Sequence, residues 1–230
     1  MKASGSWKGF RDMLQHGIYC VINPFVRLLI KCGVTPNVVT TIGLLGNLAA
    51  AVVFGWAAAE AFAGQGVDYS KITIAGALII GFSLFDMLDG QVARLGGMSS
   101  SFGAMYDSVL DRYCEMFTLG GIALYLLGCN DFIGAAFTFL ALVGSVMVSY
   151  VRARAEGLGI ECKVGFMQRP ERVVVTSLAA LATGIVGQNL SPTAEFNPNF
   201  ILVVAMIVIA VLANITAIAR LLHCYRAMTK

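Results

Sequence analysis

Apolar residues gather in six long runs, at roughly 37–60, 70–95, 102–127, 132–155, 170–189 and 198–220. Each is near the ~20 residues that cross a bilayer core as a helix. Polar or glycine-rich breaks separate them: Gly64-Gln65-Gly66, Gly96-Gly97 with Ser99-Ser100-Ser101, Gly128 to Asp131, Gly157 to Gly165, and Ser191-Pro192 through Pro198. Ahead of the first run, Trp7, Phe10, Leu14, Ile18 and Ile22 recur at helical spacing, with Lys8, Arg11 and Gln15 between them. That pattern predicts a helix lying on a membrane surface, its apolar face in lipid and its cations at the headgroups. Gly33 should end the segment and Pro36 should open the first span. The expected architecture is an all-α integral membrane protein of six transmembrane helices preceded by an amphipathic interfacial helix. Its parts are a juxtamembrane segment over 1–34, a six-helix domain over 35–222 and a tail over 223–230.

Composition narrows the class. Of 230 residues, 58% are hydrophobic and 13% charged, against about 45–50% and about 25% in soluble domains. Mean hydropathy is +0.79. Too few charges remain to cover a water-facing surface, which excludes a soluble enzyme or a disordered tail. The net charge of +3 includes no basic run and no aromatic-interleaved basic patch, so no nucleic-acid partner is expected. The cysteines (Cys20, Cys32, Cys114, Cys129, Cys162 and Cys224) form no CxxC pair and read as small apolar residues. No cleavable signal peptide is expected, because the first run long enough to span begins only near residue 38.

The basic residues orient the chain. With the N-terminus cytoplasmic, fourteen of the sixteen Lys and Arg residues fall on the inner side; Lys71 falls outside and Arg112 within a span. By the positive-inside rule both termini are cytoplasmic.

Four aspartates break the apolar pattern of the second and third spans: Asp86, Asp89, Asp107 and Asp111. Each costs on the order of 3 kcal/mol at membrane depth, and no structural role needs so many like charges together. Asp86 and Asp89 (i, i+3) share a helix face, as do Asp107 and Asp111 (i, i+4). The Gly96–Ser101 linker is short enough to make the two helices antiparallel neighbours. At 1.5 Å per residue all four lie within roughly 15 Å of the cytoplasmic interface. Converging carboxylates cannot all stay ionised without a cation, and oxygen ligands select a hard ion: Mg²⁺ or Mn²⁺ with bound phosphates, or Ca²⁺. Gly90 and Gly103 let backbone approach a ligand, and Arg94 offers a planar fork for phosphate. The set describes a site for a pyrophosphate-bearing lipid.

The string Asp86-x2-Asp89-Gly90-x2-Ala93-Arg94-x8-Gly103-x3-Asp107-x3-Asp111 resembles the signature of the CDP-alcohol phosphotransferases, with every fixed position present. A chance match is on the order of 10⁻¹⁰ per start position. The resemblance implies a homodimer with a two-metal site, Mg²⁺ or Mn²⁺, at the cytoplasmic face of the inner membrane. It implies transfer of a phosphatidyl group from CDP-diacylglycerol to an alcohol with release of CMP. Asp86, Asp89 and Asp107 would hold the metals, and Asp111 would complete the second metal site and act as general base. Asp89, Gly90, Arg94 and Gly103 would contact the CDP moiety. Thr35-Pro36-Asn37-Val38-Val39-Thr40 is also similar to the family, and places Asn37 and Thr40 beside the nucleotide.

The acceptor is suggested by the connection between spans four and five, which carries Ser149, Arg152 and Arg154, then Arg169, Pro170 and Arg172. Arginines converging beside a metal site favour a dianionic acceptor. The SYxxARAEG-like and RPER strings, read here as Ser149-Tyr150-Val151-Arg152-Ala153-Arg154-Ala155-Glu156-Gly157 and Arg169-Pro170-Glu171-Arg172, resemble prokaryotic phosphatidylinositol-phosphate synthases. That likeness implies inositol 1-phosphate, bound by Ser149, Arg152, Arg154, Arg169 and Arg172. Each arginine could instead be a solvated positive-inside anchor, pairing as Arg154–Glu156 or Glu171–Arg172. Glycerol 3-phosphate is the nearest rival acceptor. A membrane prenyltransferase also sets aspartates over a diphosphate, but lacks the Asp-Gly-x2-Ala-Arg string. The non-enzyme reading is an ion-coupled transporter, which would place carboxylates near the midplane of a repeat the chain does not show. Glu115 extends the aspartate stripe and would pair with Arg112. His16 and His223 read as surface residues, and the Asn-x-Ser/Thr matches at Asn189 and Asn214 as background. Gly43, Gly46 and Ala50 form a small-residue stripe that would pack helices within or between subunits.

Overall fold

The computed structural model describes residues 23–190 and 196–229, apart from the side chain of Asp86. All regular structure among the described residues is helical. Helix α1 covers residues 23–31; then follow α2 (Pro36–Phe62), α3 (Tyr69–Leu95), α4 (Ser101–Gly128), α5 (Phe132–Glu156), α6 (Arg169–Asn189) and α7 (Asn199–Met228). The amphipathic pattern of residues 7–22, with His16, lies outside the described residues.

The helix ends follow local chemistry. Gly33 takes φ 74°, Val34 N–H bonds the Leu29 carbonyl at 3.0 Å and Gly33 N–H bonds Ile30 at 3.0 Å. This paired closure stops α1, and Pro36 occupies the first position of α2. Gly97 at φ 64°, with Met98 N–H on the Ala93 carbonyl at 2.9 Å, ends α3. Ser100 then caps α4, its Oγ accepting from Gly103 N–H at 3.0 Å. The last helix departs from expectation. It continues through the segment assigned to a tail and ends at Met228, because Leu221, Leu222 and Tyr225 extend its apolar surface and no breaker intervenes.

Among the described residues five helices, α2, α3, α5, α6 and α7, are long and apolar enough to cross a membrane. Helix α4 has the length, at 28 residues, but Asp107, Asp111, Arg112 and Glu115 put at least three charges in every 18-residue window. Bulky apolar residues such as Leu45, Val52, Trp56, Leu124 and Phe139 point outward, as in a protein solvated by lipid rather than water. The chain is a multi-pass membrane protein.

Contacts divide the described residues into two compact units, one within 23–43 and 84–110 and the other within 44–83 and 111–229. In the first, Val26, Val39, Leu88 and Val92 form the buried core, with Leu29, Ile30 and Phe85 against it. In the second, a core of Phe54, Ile72, Ile79, Ile122, Tyr125, Leu126, Leu202, Met206 and Ile209 is threaded by small residues. Gly121 abuts Ala51, Gly128 abuts Ala58 and Gly184 abuts the Thr73 backbone. Close backbone approach through small residues is how helices associate where apolar burial gives no net advantage over lipid. The predicted small-residue stripe packs within the chain: Gly46 sits against the Phe82 ring, and Ala50 is fully buried. Asn214 donates to the Leu140 carbonyl of α5 at 3.1 Å and to Ala210 at 2.8 Å, a helix-packing role.

Candidate active site

In the first unit the end of α3, the start of α4 and the first turns of α2 enclose a cavity of about 250 Å³. Its lining includes Asn37, Thr40, Asp89, Gly90, Arg94, Gly103 and Asp107. These are all the motif residues that the sequence assigned to the nucleotide, together with two of the four aspartates. Ala93, Ser99 and Ser100 also line it.

The wall is ordered by short contacts. Asp89 is buried, and its Oδ2 accepts from Thr40 Oγ1 at 2.7 Å. Thr40 also bonds the Pro36 carbonyl at 3.0 Å, so the first turn of α2 fixes that carboxylate's rotamer. One residue on, the Thr41 hydroxyl meets Tyr106 Oη at 2.9 Å, tying α2 to α4. The two glycines differ in purpose. A Cβ on Gly103 would come within 3.0 Å of Ser100 Oγ and 3.5 Å of Asn37 Oδ1, so this glycine admits the protein's own side chains. A Cβ on Gly90 would meet nothing closer than an Arg94 guanidinium nitrogen at 3.6 Å. Its space opens into the cavity, as expected where a ligand approaches backbone.

The donor set of the cavity suits a hard divalent cation bound with phosphate: carboxylate oxygens, three hydroxyls and an arginine, with no imidazole or thiol. Among the described residues no three ligand-type side chains form a ready cage. Two of the four expected carboxylates line the cavity, and the side chain of Asp86 lies outside the described residues.

Asp111 belongs to the second unit. Its Oδ1 pairs with an Arg169 guanidinium nitrogen at 2.9 Å, both side chains partly exposed. Next to this pair, Asn47, Glu115, Thr118, Arg169, Arg172 and Thr176 help line a cavity of about 20 Å³, room for about one water and far too small for a sugar phosphate. Arg172 is 2% exposed. It grips Glu115 with two nitrogens, at 2.5 and 2.9 Å, and donates a third to the Met167 carbonyl at 3.0 Å.

The structure sets the basic-loop residues apart from one another. Of Ser149, Arg152, Arg154, Arg169 and Arg172, the last two both line the small cavity, and Arg172 is bonded to Glu115. Glu115 therefore pairs across helices, not with Arg112, and Glu171 is not the partner of Arg172. Arg152 bonds Glu156 at 2.8 Å along the exposed face of α5, the partner expected for Arg154, because i, i+4 spacing on a helix matches that pair. Arg154 is exposed, and Ser149 is half-buried outside both cavities. Arg220, counted in the sequence only as one more inner-side cation, is buried to 2% exposure. The signal was present: an ionisable residue inside a long apolar helix marks a functional position.

The comparisons with known proteins agree on one family. Residues 33–225 match the family described as CDP-alcohol phosphatidyltransferase. The chain is 37% identical over 180 residues to the phosphatidylinositol phosphate synthase of Cutibacterium acnes, covering 75% of this chain and 80% of that one. It is 34% identical over 161 residues to the phosphatidylinositol phosphate synthase of Mycobacterium marinum, covering 70% of this chain but only 64% of its relative's length. Among solved structures, Mycobacterium tuberculosis phosphatidylinositol phosphate synthase with CDP-DAG bound gives a TM-score of 0.72 at 30% identity, over 88% of this chain and 92% of that one. The same enzyme in complex with manganese and citrate gives 0.73 at 30% identity, over 88% of each chain.

Proposed function

The chain belongs to the CDP-alcohol phosphatidyltransferase family, and from that premise we propose that it transfers the phosphatidyl group of CDP-diacylglycerol to inositol 1-phosphate, releasing CMP. The observation that carries the donor half is the shared cavity of Asn37, Thr40, Asp89, Gly90, Arg94, Gly103 and Asp107. Seven residues drawn from three helices by two sequence strings line a single space, and their chemistry fits a nucleoside diphosphate. The acceptor half rests on the relatives named phosphatidylinositol phosphate synthase and on Arg169, a guanidinium at the mouth of α6.

Each residue then has a task. Thr40 holds the Asp89 carboxylate in a fixed rotamer. Gly90 leaves room for the pyrophosphate against the α3 backbone, and Arg94 grips it with its planar fork. Arg169 leaves Asp111 for the acceptor's phosphate, which brings an inositol hydroxyl to Asp111. Asp111 takes the hydroxyl proton as the oxygen attacks the lipid-side phosphorus and the bond to CMP breaks. Asp86, Asp89, Asp107 and Asp111 would hold two Mg²⁺ or Mn²⁺ ions, whose chemistry is to neutralise the pyrophosphate and the departing CMP. The positive-inside bias supports a site facing the cytoplasm at the inner membrane, with both termini inside; a homodimer belongs to the same proposal.

The test is CMP release by the purified protein with CDP-diacylglycerol and Mg²⁺ or Mn²⁺, with inositol 1-phosphate, glycerol 3-phosphate, inositol and serine compared side by side. Release with inositol 1-phosphate alone supports the reading. Release with glycerol 3-phosphate instead would keep the donor site and overturn the acceptor.

A further inference from the structure

Residues 157–168 connect α5 to α6 and run directly into Arg169. Their backbone is held by side chains that no motif accounts for. Arg220, on α7, donates from Nε to the Val164 carbonyl at 2.8 Å and from a terminal nitrogen to the Val148 carbonyl at 2.7 Å. One turn earlier, Thr216 Oγ1 accepts from Met167 N–H at 3.4 Å. Between these points Gly165, at φ 106°, lies so close to α7 that a Cβ would run into the Thr216 methyl. On the far side, the Met167 carbonyl receives Arg172. The strap from Val164 to Met167 is thus fixed to α7 by one face and to the first turn of α6 by the other.

Stability alone does not call for an arginine at 220. A buried cation is costly, and an apolar residue of similar volume commonly serves a helix interior as well or better. A rigid planar fork directs two separate nitrogens at carbonyls from different segments with little loss of side-chain freedom. Val148 precedes Ser149 on α5, and Val164 lies five residues before Arg169.

We infer that Arg220 is a positioning residue for the acceptor phosphate: by clamping the Val148 and Val164 carbonyls it sets the strap and, through it, the placement of Arg169 beside Asp111. The inference rests on the phosphorylated-acceptor reading above and extends it to a helix without a motif.

The test uses the purified full chain carrying Arg220→Gln, Arg220→Lys or Thr216→Val, with KM and kcat measured for each substrate and amide hydrogen exchange followed over the strap. Arg220→Gln should raise the KM for inositol 1-phosphate by roughly tenfold or more, with the KM for CDP-diacylglycerol within about twofold of wild type. Arg220→Lys should rescue it only in part, because one ammonium nitrogen replaces the two separately directed nitrogens that reach Val148 and Val164. Thr216→Val should shift the same KM in the same direction by a smaller factor, and strap amides should exchange faster in all three. An unchanged acceptor KM in Arg220→Gln overturns the inference, as does an equal loss for both substrates with a lowered melting temperature. If Arg220→Gln does not fold, Thr216→Val decides, and an unchanged acceptor KM there overturns it. If the wild type releases no CMP with inositol 1-phosphate, the functional reading fails, and the clamp stands or falls on whether Arg220→Gln accelerates exchange of the strap.

Discussion

Asp111 meets Arg169 at 2.9 Å, a contact that brings together a proposed base and a proposed phosphate ligand. Replacing Asp111 by Asn keeps the side chain's shape and removes its basicity. We expect Asp111→Asn to retain CDP-diacylglycerol binding and lose CMP release by at least ~10²-fold, the usual worth of a positioned base; wild-type turnover would remove Asp111 from the chemistry. Gly90 offers the complementary test. Its missing Cβ faces only Arg94, at 3.6 Å, so Gly90→Ala should fold with an unchanged melting temperature and still weaken donor binding several-fold. A stability loss without a change in the donor KM would mean that the glycine serves the helix and not the ligand. The Arg172–Glu115 pair is structural in a stricter sense. Both residues are buried, and removing one partner strands a charge at a cost of about 3–5 kcal/mol. Glu115→Leu should therefore lower the melting temperature sharply, and Glu115→Leu with Arg172→Met should recover most of the loss. Additive losses in the double variant would show that the two side chains are not coupled.

At the scale of elements, what could be read in advance was what spacing along one helix determines. Gly33, Pro36 and Ser100 mark helix ends by their own backbone and side-chain chemistry, and the structure uses each at that position. That Asp89, Gly90, Arg94, Gly103 and Asp107 would gather around one cavity was legible for the same reason: α3 and α4 are joined by a short linker, so a pattern along the chain is also a pattern in space. The basic loop was not. Whether Arg172 faces a ligand or Glu115 depends on where α6 lies against α4, 57 positions away in sequence, and no local period encodes that. The end of α7 was missed for a different reason, since a polar tail residue such as His223 is as compatible with an exposed last turn as with a coil. Helix packing supplies its own prediction. Gly184 rests on the Thr73 backbone, so Gly184→Val must separate α6 from α3 and should destabilise the protein by about 1–3 kcal/mol, read as a lower melting temperature. An unchanged value would mean that this approach is not a tight seam.

Across the whole molecule, charge placement is the argument for the proposed orientation, and Lys71 is its one exception. Lys71, the only basic residue expected outside, is paired with Glu60 and lies 3.1 Å from Asp68, and its ammonium sits 4.8 Å from the centre of the Trp56 ring. Lys71 is flanked by two carboxylates, while Arg94, Arg154 and Arg226 stand in the last turns of α3, α5 and α7 and Lys163 in the connection between α5 and α6. The carboxylates beside Lys71 leave the count of lysines and arginines unchanged, and the proposed orientation rests on that count. Gln65 and Lys163, both exposed, occupy the two classes of loop. In a cysteine-free background, a membrane-impermeant maleimide applied to intact cells should label Gln65→Cys and spare Lys163→Cys, with both labelled after lysis. The reverse pattern would put the aspartate cavity on the outer face, where a cytoplasmic nucleotide-activated lipid could not be its substrate, and the proposed chemistry would fall with the topology.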